Sequence, residues 1–251
     1  MLTSGASREE QFDDFWTISV GLSAQGRTFK KTKLEIRERD DYTARNALCA
    51  VAQSSTKIVI FGGQDSAQDR QFNDLYTLDL ETKELKQQEY GDGKIVPPKR
   101  NSHTLTKDGT KAYLFGGANS DGPLKDLYSL DLESLEFTRI QLDESEMNLP
   151  MIEMHTAHIY RGTHLLLIGG RKLEQGQPLT EIAFSNDIYS VELETGKVAQ
   201  FGTLPTALGS HVSAIVDDKY LVVYGGTNGL RFFDSIMRYE IETREWTLMT
   251  G

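Results

Sequence analysis

The sequence predicts an all-β chain made of repeated four-stranded antiparallel units, and three observations carry that expectation. An apolar run ending in Gly-Gly occurs four times, as Ile58-Val-Ile-Phe-Gly-Gly63, Ala112-Tyr-Leu-Phe-Gly-Gly117, Leu165-Leu-Leu-Ile-Gly-Gly170 and Leu221-Val-Val-Tyr-Gly-Gly226, with its first glycines 54, 53 and 56 residues apart. Such a period marks one supersecondary unit stacked or arranged in a ring. The 251 residues include 22 glycines against 6 prolines, which points to many tight turns rather than to disorder. Both faces of each predicted sheet carry apolar or aromatic side chains, so each sheet needs a neighbour on either side. Sheets packed face to face around an axis form a β-propeller, which leaves only short, protected edges.

Each unit reads as four strands in order. The first is led in by Arg45-Asn-Ala-Leu48, Arg100-Asn-Ser-His103, Ile152-Glu-Met-His155 and Leu208-Gly-Ser-His211, and the second is the run ending in Gly-Gly. After a polar loop, a third strand follows as Asn73-Asp-Leu-Tyr-Thr-Leu-Asp79, Lys125-Asp-Leu-Tyr-Ser-Leu-Asp131, Asn186-Asp-Ile-Tyr-Ser-Val-Glu192 and the looser Asp234-Ser-Ile-Met-Arg-Tyr-Glu240. The turns Glu81-Thr-Lys-Glu-Leu85, Glu133-Ser-Leu-Glu-Phe137, Glu194-Thr-Gly-Lys-Val198 and Glu242-Thr-Arg-Glu-Trp246 then start a fourth strand. Full units run over 45–90, 100–142, 152–202 and 208–251, within one domain spanning 1–251. At the amino terminus, Phe12-Asp-Asp-Phe-Trp-Thr-Ile-Ser-Val20 aligns with a third strand and Thr28–Leu34 with a fourth, so 12–36 is a half-blade with no first or second strand. The expectation is four blades and a half, five in all, as a fragment of a larger ring such as a six-bladed one.

This succession of apolar run, Gly-Gly, polar loop, aromatic and large residue resembles the kelch repeat over about 45–251. The departures are the missing leading arginine and Val198 in unit four, Leu85 and Phe137 at the usual Trp position in units two and three, and Met237 in place of the Tyr of the other units. The resemblance implies a kelch-type β-propeller that binds a partner protein or peptide through its loops. It also implies fusion in some members to BTB, formin-like or phosphatase domains.

Composition bounds the function. The 37 acidic and 27 basic side chains leave a formal charge of −10, which repels a phosphate backbone unless basic residues cluster, and no basic cluster is expected. One cysteine, Cys49, excludes an internal disulfide, no Asn-x-Ser/Thr acceptor is present, and no amino-terminal signal segment is read, so cytosol or nucleus is the expected compartment. Apolar stretches fall far short of the roughly twenty residues needed to span a bilayer.

Three features bear on possible chemistry. His103, His155 and His211 hold the same place on consecutive innermost strands, where three imidazoles would suit zinc; the repeat itself favours a structural histidine bonded to backbone between blades. His155 and His158 point to opposite faces of a strand and are no ligand pair. Some kelch-like propellers are copper oxidases, epimerases or iron-dependent specifier proteins, but Cys49 reads as core and the specifier metal triad is absent. Gly91-Asp-Gly-Lys94 lacks the Ser or Thr and the helix of a phosphate loop. No catalytic residue, cofactor or metal is assigned.

The functional expectation rests on geometry. Loops between second and third strands emerge on the same face as loops leading into first strands. That face holds Asn46, Asn101, Ser102, Asn119, Glu153, Met154, Arg171, Ser210, Asn228 and Arg231, with Arg171 and Arg231 suited to an acidic side chain or carboxylate. The long loop 171–185, with Leu179, Ile182 and Phe184, is suited to contact with the propeller itself or with a partner. The leading reading is a non-catalytic scaffold or substrate-recruiting subunit. The alternative is a propeller enzyme or a small-molecule or metal site at the channel mouth.

Overall fold

The computed structural model describes residues 2–6, 11–23 and 26–250. Residues 24 and 25 of the predicted half-blade and the two ends of the expected domain lie outside these. The chain divides into two compact units, 1–101 and 102–251.

In the first unit, strand β1 (Leu2–Ala6) pairs antiparallel with β2 (Gln11–Ser23), which pairs with β3 (Gly26–Leu34). The half-blade therefore has three strands, not the predicted two. Leu2–Ala6 shows no strand period in the sequence; what recruits it is the open edge of β2, against which Leu2 stands opposite Trp16 and Ala6 opposite Gln11. The second blade is an antiparallel meander of Cys49–Ala52, Lys57–Phe61, Leu75–Asp79 and Glu84–Gln88, its last strand bordered in parallel by Glu38–Arg39. Phe15 of β2, fully buried, shares a core with Tyr42, Ile60, Tyr76, Leu78 and Leu85.

The second unit holds three meanders: Thr104–Asp108, Lys111–Phe115, Leu127–Asp131 and Phe137–Ile140; Thr156–Tyr160, His164–Ile168, Asp187–Glu192 and Val198–Thr203; and Val212–Val216, Tyr220–Tyr224, Ile236–Glu240 and Glu245–Thr250. The strand period decides which way each side chain packs. In His164–Ile168, Leu165 and Leu167 join a core with Tyr113, Phe115 and Leu127 of the preceding blade. Leu166 and Ile168 join another with Leu221, Val223 and Tyr239 of the following one. A sheet apolar on both faces is thus buried on both, as in the β-propeller fold.

The Gly-Gly pair is where blades meet backbone to backbone. A Cβ on Gly169 (φ +58°) would stand 2.6 Å from the Leu208 carbonyl of the next blade, and one on Gly170 (φ +95°) 2.4 Å from the Glu153 carbonyl of its own blade. Between them the Gly170 amide donates to the Leu208 carbonyl at 2.7 Å. We expect Gly170→Ala to cost about 3 kcal/mol, combining left-handed strain with the clash. Gly176→Ala, with φ +85° but open space around it, should cost only about 1 kcal/mol. Urea unfolding of the two variants checks the difference.

The turn between third and fourth strands repeats its geometry. Lys83, Leu135, Gly196 and Arg244 all take positive φ, between 59° and 74°, and each donates its amide to the carbonyl four residues back at 2.8–2.9 Å. In two blades a carboxylate shapes the turn as well: Asp79 accepts from the amides of Glu81 and Thr82, and Asp131 from those of Glu133 and Ser134. Those bonds hold both carboxyls below their ordinary range.

The leading arginine has a structural task. Arg45 is 1 % exposed and forms a bidentate pair with Asp74, while donating to the carbonyls of Thr43 and Gly62. The fourth blade, which lacks that arginine, supplies a cation from elsewhere: Lys172 Nζ lies 2.8 Å from Asp187 Oδ2, which also accepts from Ser185 Oγ at 2.8 Å. The fifth blade has neither charge, with buried Leu208 and Ser235 at the two positions.

Candidate functional site

The predicted loop residues fall on a backbone seam. Ala47, Ser102, Met154 and Ser210 all take φ between 52° and 56°, a conformation costing a non-glycine residue about 1 kcal/mol. In three blades the residue at the lead-in pairs with the one after Gly-Gly: Asn46 exchanges both backbone bonds with Gln64 at 2.9 Å, and Gly209 with Thr227 at 2.9 Å. Glu153 stands opposite Arg171 in a ribbon of Met151–Glu153, Arg171–Leu173 and Ala183–Phe184. Within the second unit the seam runs from blade to blade, Met154 N donating to Ser102 O at 3.0 Å and Ser210 N to Met154 O at 2.8 Å.

Side chains at these positions divide by task. Arg171 does not stand free for a partner's carboxylate: its Nη2 lies 2.8 Å from Glu153 Oε1. Burial raises the Glu153 carboxyl while Arg171 draws it down. Asn119 Oδ1 accepts from Asp121 N at 2.8 Å, and Asn228 Oδ1 accepts from the amides of Leu230 and Arg231 at 3.1 Å, so these two asparagines build turns. Asn46 Nδ2 donates to Ser66 Oγ at 3.1 Å, and Asn101 is buried. Arg231 stacks over Phe233, 4.6 Å from its ring centre. The long loop packs on its own neighbours: the Phe184 ring covers Gly209 and Gly229, and Leu179 covers Gly122. The sequence places 227–231 on the loop rim without singling out Leu230 and leaves out Phe232; the same turn leaves these two 93 % and 88 % exposed. The only sequence signal for them is two large apolar residues flanking an arginine in a loop begun by Asn228-Gly229.

The family model described as the KLHDC2/KLHL20/DRC7 Kelch-repeats domain matches residues 4–183, and the Kelch motif matches 208–251. The chain belongs to the Kelch-repeat family. Its similar relatives include host cell factor 1 of Rattus norvegicus, 30 % identical over 60 % of this chain and 8 % of the relative. Multiple epidermal growth factor-like domains protein 8 of Mus musculus is 35 % identical over 45 % of the chain and 4 % of the relative. Kelch domain-containing protein 10 of Homo sapiens is 26 % identical over 62 % and 36 %. The matched region is thus a minor part of each. Kelch-repeat domains are generally interaction modules rather than enzymes, and commonly mediate contacts between proteins. No helix among the described residues is long and apolar enough to cross a membrane.

In this Kelch domain His155 and His211 serve packing between blades, though through hydroxyls and not through the backbone as predicted. His155 Nε2 lies 3.0 Å from Thr104 Oγ1 of the preceding blade, and His211 Nε2 lies 3.0 Å from Thr156 Oγ1. Thr156 also meets Ser213 Oγ at 2.5 Å, and Ser213 meets His158 Nε2 at 2.7 Å. Burial depresses His155 to about 3, with His211 adding to it, and His211 to about 4, with His158 adding to it. Both rings are therefore neutral near pH 7. Among the described residues no group of three His, Cys, Asp or Glu side chains is placed to hold a metal ion. Each such hydrogen bond should contribute about 1 kcal/mol, so Thr156→Val, which removes one bond to an imidazole and one to the Ser213 hydroxyl, should lower stability by about 2 kcal/mol in urea unfolding.

Proposed function

We propose that this Kelch domain is a non-catalytic module that recognises a protein or peptide partner through the loops following Gly-Gly, serving as scaffold or substrate-recruiting subunit. One observation carries the reading: Leu230 and Phe232 stand nearly fully exposed on a loop whose shape is fixed from within. Asn228 Oδ1 takes two amides, Thr227 Oγ1 donates to the Arg231 carbonyl at 2.8 Å, and the Gly229 amide donates to Thr227 Oγ1 at 3.0 Å. Apolar anchors held in place lose little freedom on binding and fill a partner's pocket at low entropic cost. Arg231 between them adds a charge that orients an acidic partner.

The test compares partners by proximity labelling, using wild type, the triple substitution Leu230→Ser, Arg231→Glu, Phe232→Ser, and Glu133→Lys in a turn at the far end of its blade. Partners lost only from the triple variant, with its unfolding curve unchanged, support the reading. An identical partner set in all three refutes it for this loop.

A further inference from the structure

A second surface lies on the amino-terminal hairpin. The register places Trp16, Ile18, Val20 and Leu22 of β2 opposite Lys33, Lys31, Phe29 and Arg27 of β3. Residues directly opposed across a pair share a face. That face therefore has an apolar row on β2 and a row on β3 that is cationic except at Phe29; at its Trp16 end Asp14 accepts from Trp16 Nε1 at 2.8 Å and lies 3.8 Å from Lys33 Nζ, which keeps half of its side chain exposed. Ile18, Val20, Leu22 and Phe29 are 43–80 % exposed, and Lys31 Nζ sits 3.9 Å above the Trp16 ring. No acidic residue occurs in 26–34, in a chain of formal charge −10. The absence of a basic cluster expected from the sequence is corrected here.

The far edge of β3 pairs with no strand among the described residues. At nine residues β3 is longer than the last strands of the other blades, which have four to six. We propose that this edge receives an extended acidic segment of another protein by strand addition, with alternate carboxylates beside Arg27, Lys31 and Lys33 and an apolar side chain beside Phe29. In strand addition the main chain supplies affinity and alternate side chains supply selectivity. Like charges facing across a pair disfavour a second copy of β3, and lysines on an edge blunt neutral strands. The same lysines favour a strand whose carboxylates alternate. This surface does not depend on the loop reading above.

The probe is a fluorescent peptide, Glu-Thr-Glu-Thr-Val-Thr-Glu-Thr, with a control carrying Lys for each Glu, titrated by anisotropy against the full chain. The acidic peptide is expected to bind, to protect amides within 26–34 from exchange, and to lose about tenfold or more in affinity for Lys31→Glu, Lys33→Glu, one like-charge contact being worth about that factor. The control peptide is expected to prefer that variant. Both lysines are on the surface, and circular dichroism confirms the fold. No binding to wild type, equal binding to wild type and variant, or charge-dependent binding of phosphatidylserine vesicles or duplex DNA in place of the peptide overturns the proposal.

Discussion

Arg45→Leu is expected to destabilise the first unit by about 3 kcal/mol and Asp74→Ser by about 4 kcal/mol, whereas the double variant should recover to within about 1 kcal/mol of wild type. Arg45 is 1 % exposed and Asp74 18 %, so removing the aspartate strands the more deeply buried charge and costs more. The guanidinium is also enclosed by Phe72, Tyr42 and Tyr76, 3.8, 4.5 and 5.5 Å from their ring centres. Those faces stabilise a cation, but they equally suit a leucine once the carboxylate is gone. The fifth blade already carries this solution, with Leu208 fully buried and Ser235 in place of the aspartate. Replacing a buried ion pair by packed apolar atoms is often neutral, while breaking one by removing a single partner is not. Urea unfolding of the four proteins gives the coupling energy; additive single costs in the double variant would show that the two side chains act independently.

The fourth blade shows why this part of the structure is only half legible in the sequence. Ile152 at the arginine position reads as a defect, because the repeat aligns residues by sequence place. The compensating cation, Lys172, comes from two residues beyond Gly-Gly and reaches Asp187 through space. Its burial alone would lower its pKa, yet the bond to Asp187 raises it overall. Periodic features were legible: the Gly-Gly runs, the third-to-fourth turns and the two apolar faces each recur four times, so coincidence is easily excluded. Features that occur once and depend on pairing were not. The seam is built by backbone pairing, and nothing in the letters of Glu153 and Arg171 tells that each is the other's partner. Likewise the basic face of the hairpin is assembled by register, since only pairing brings Lys31 and Lys33 beside Ile18 and Trp16. β1 lacks any pattern of its own and is placed by the edge it completes.

Acidification from pH 7 to pH 5 is expected to cost the second unit about 4 kcal/mol through His155 and His211, about 2 kcal/mol each. In the folded chain their values are about 3 and about 4, against about 6.5 when unfolded. A base with a depressed folded value binds its proton more readily unfolded. Its contribution is therefore intact above about pH 6.5 and lost as pH falls from there toward 4. The cause is burial, 5 % and 4 % exposure for the two residues, with no carboxylate among the causes to offset it. Charging either ring would put an imidazolium beside a neutral hydroxyl and a second histidine, a position with no compensating charge. Glu153 works the other way, since a carboxyl raised by burial gains stability on acidification as it takes its proton, and it moderates the slope rather than reversing it. The check is urea unfolding at pH 5, 6 and 7 for wild type and for His155→Gln, His211→Gln, whose side-chain amides keep a hydrogen bond to Thr104 and Thr156 without titrating. The variant is expected to be less stable at pH 7 and to have a much shallower slope, its remainder coming from His158, which burial also holds below its ordinary value. Retention of the full wild-type slope would place the acid sensitivity outside these two rings.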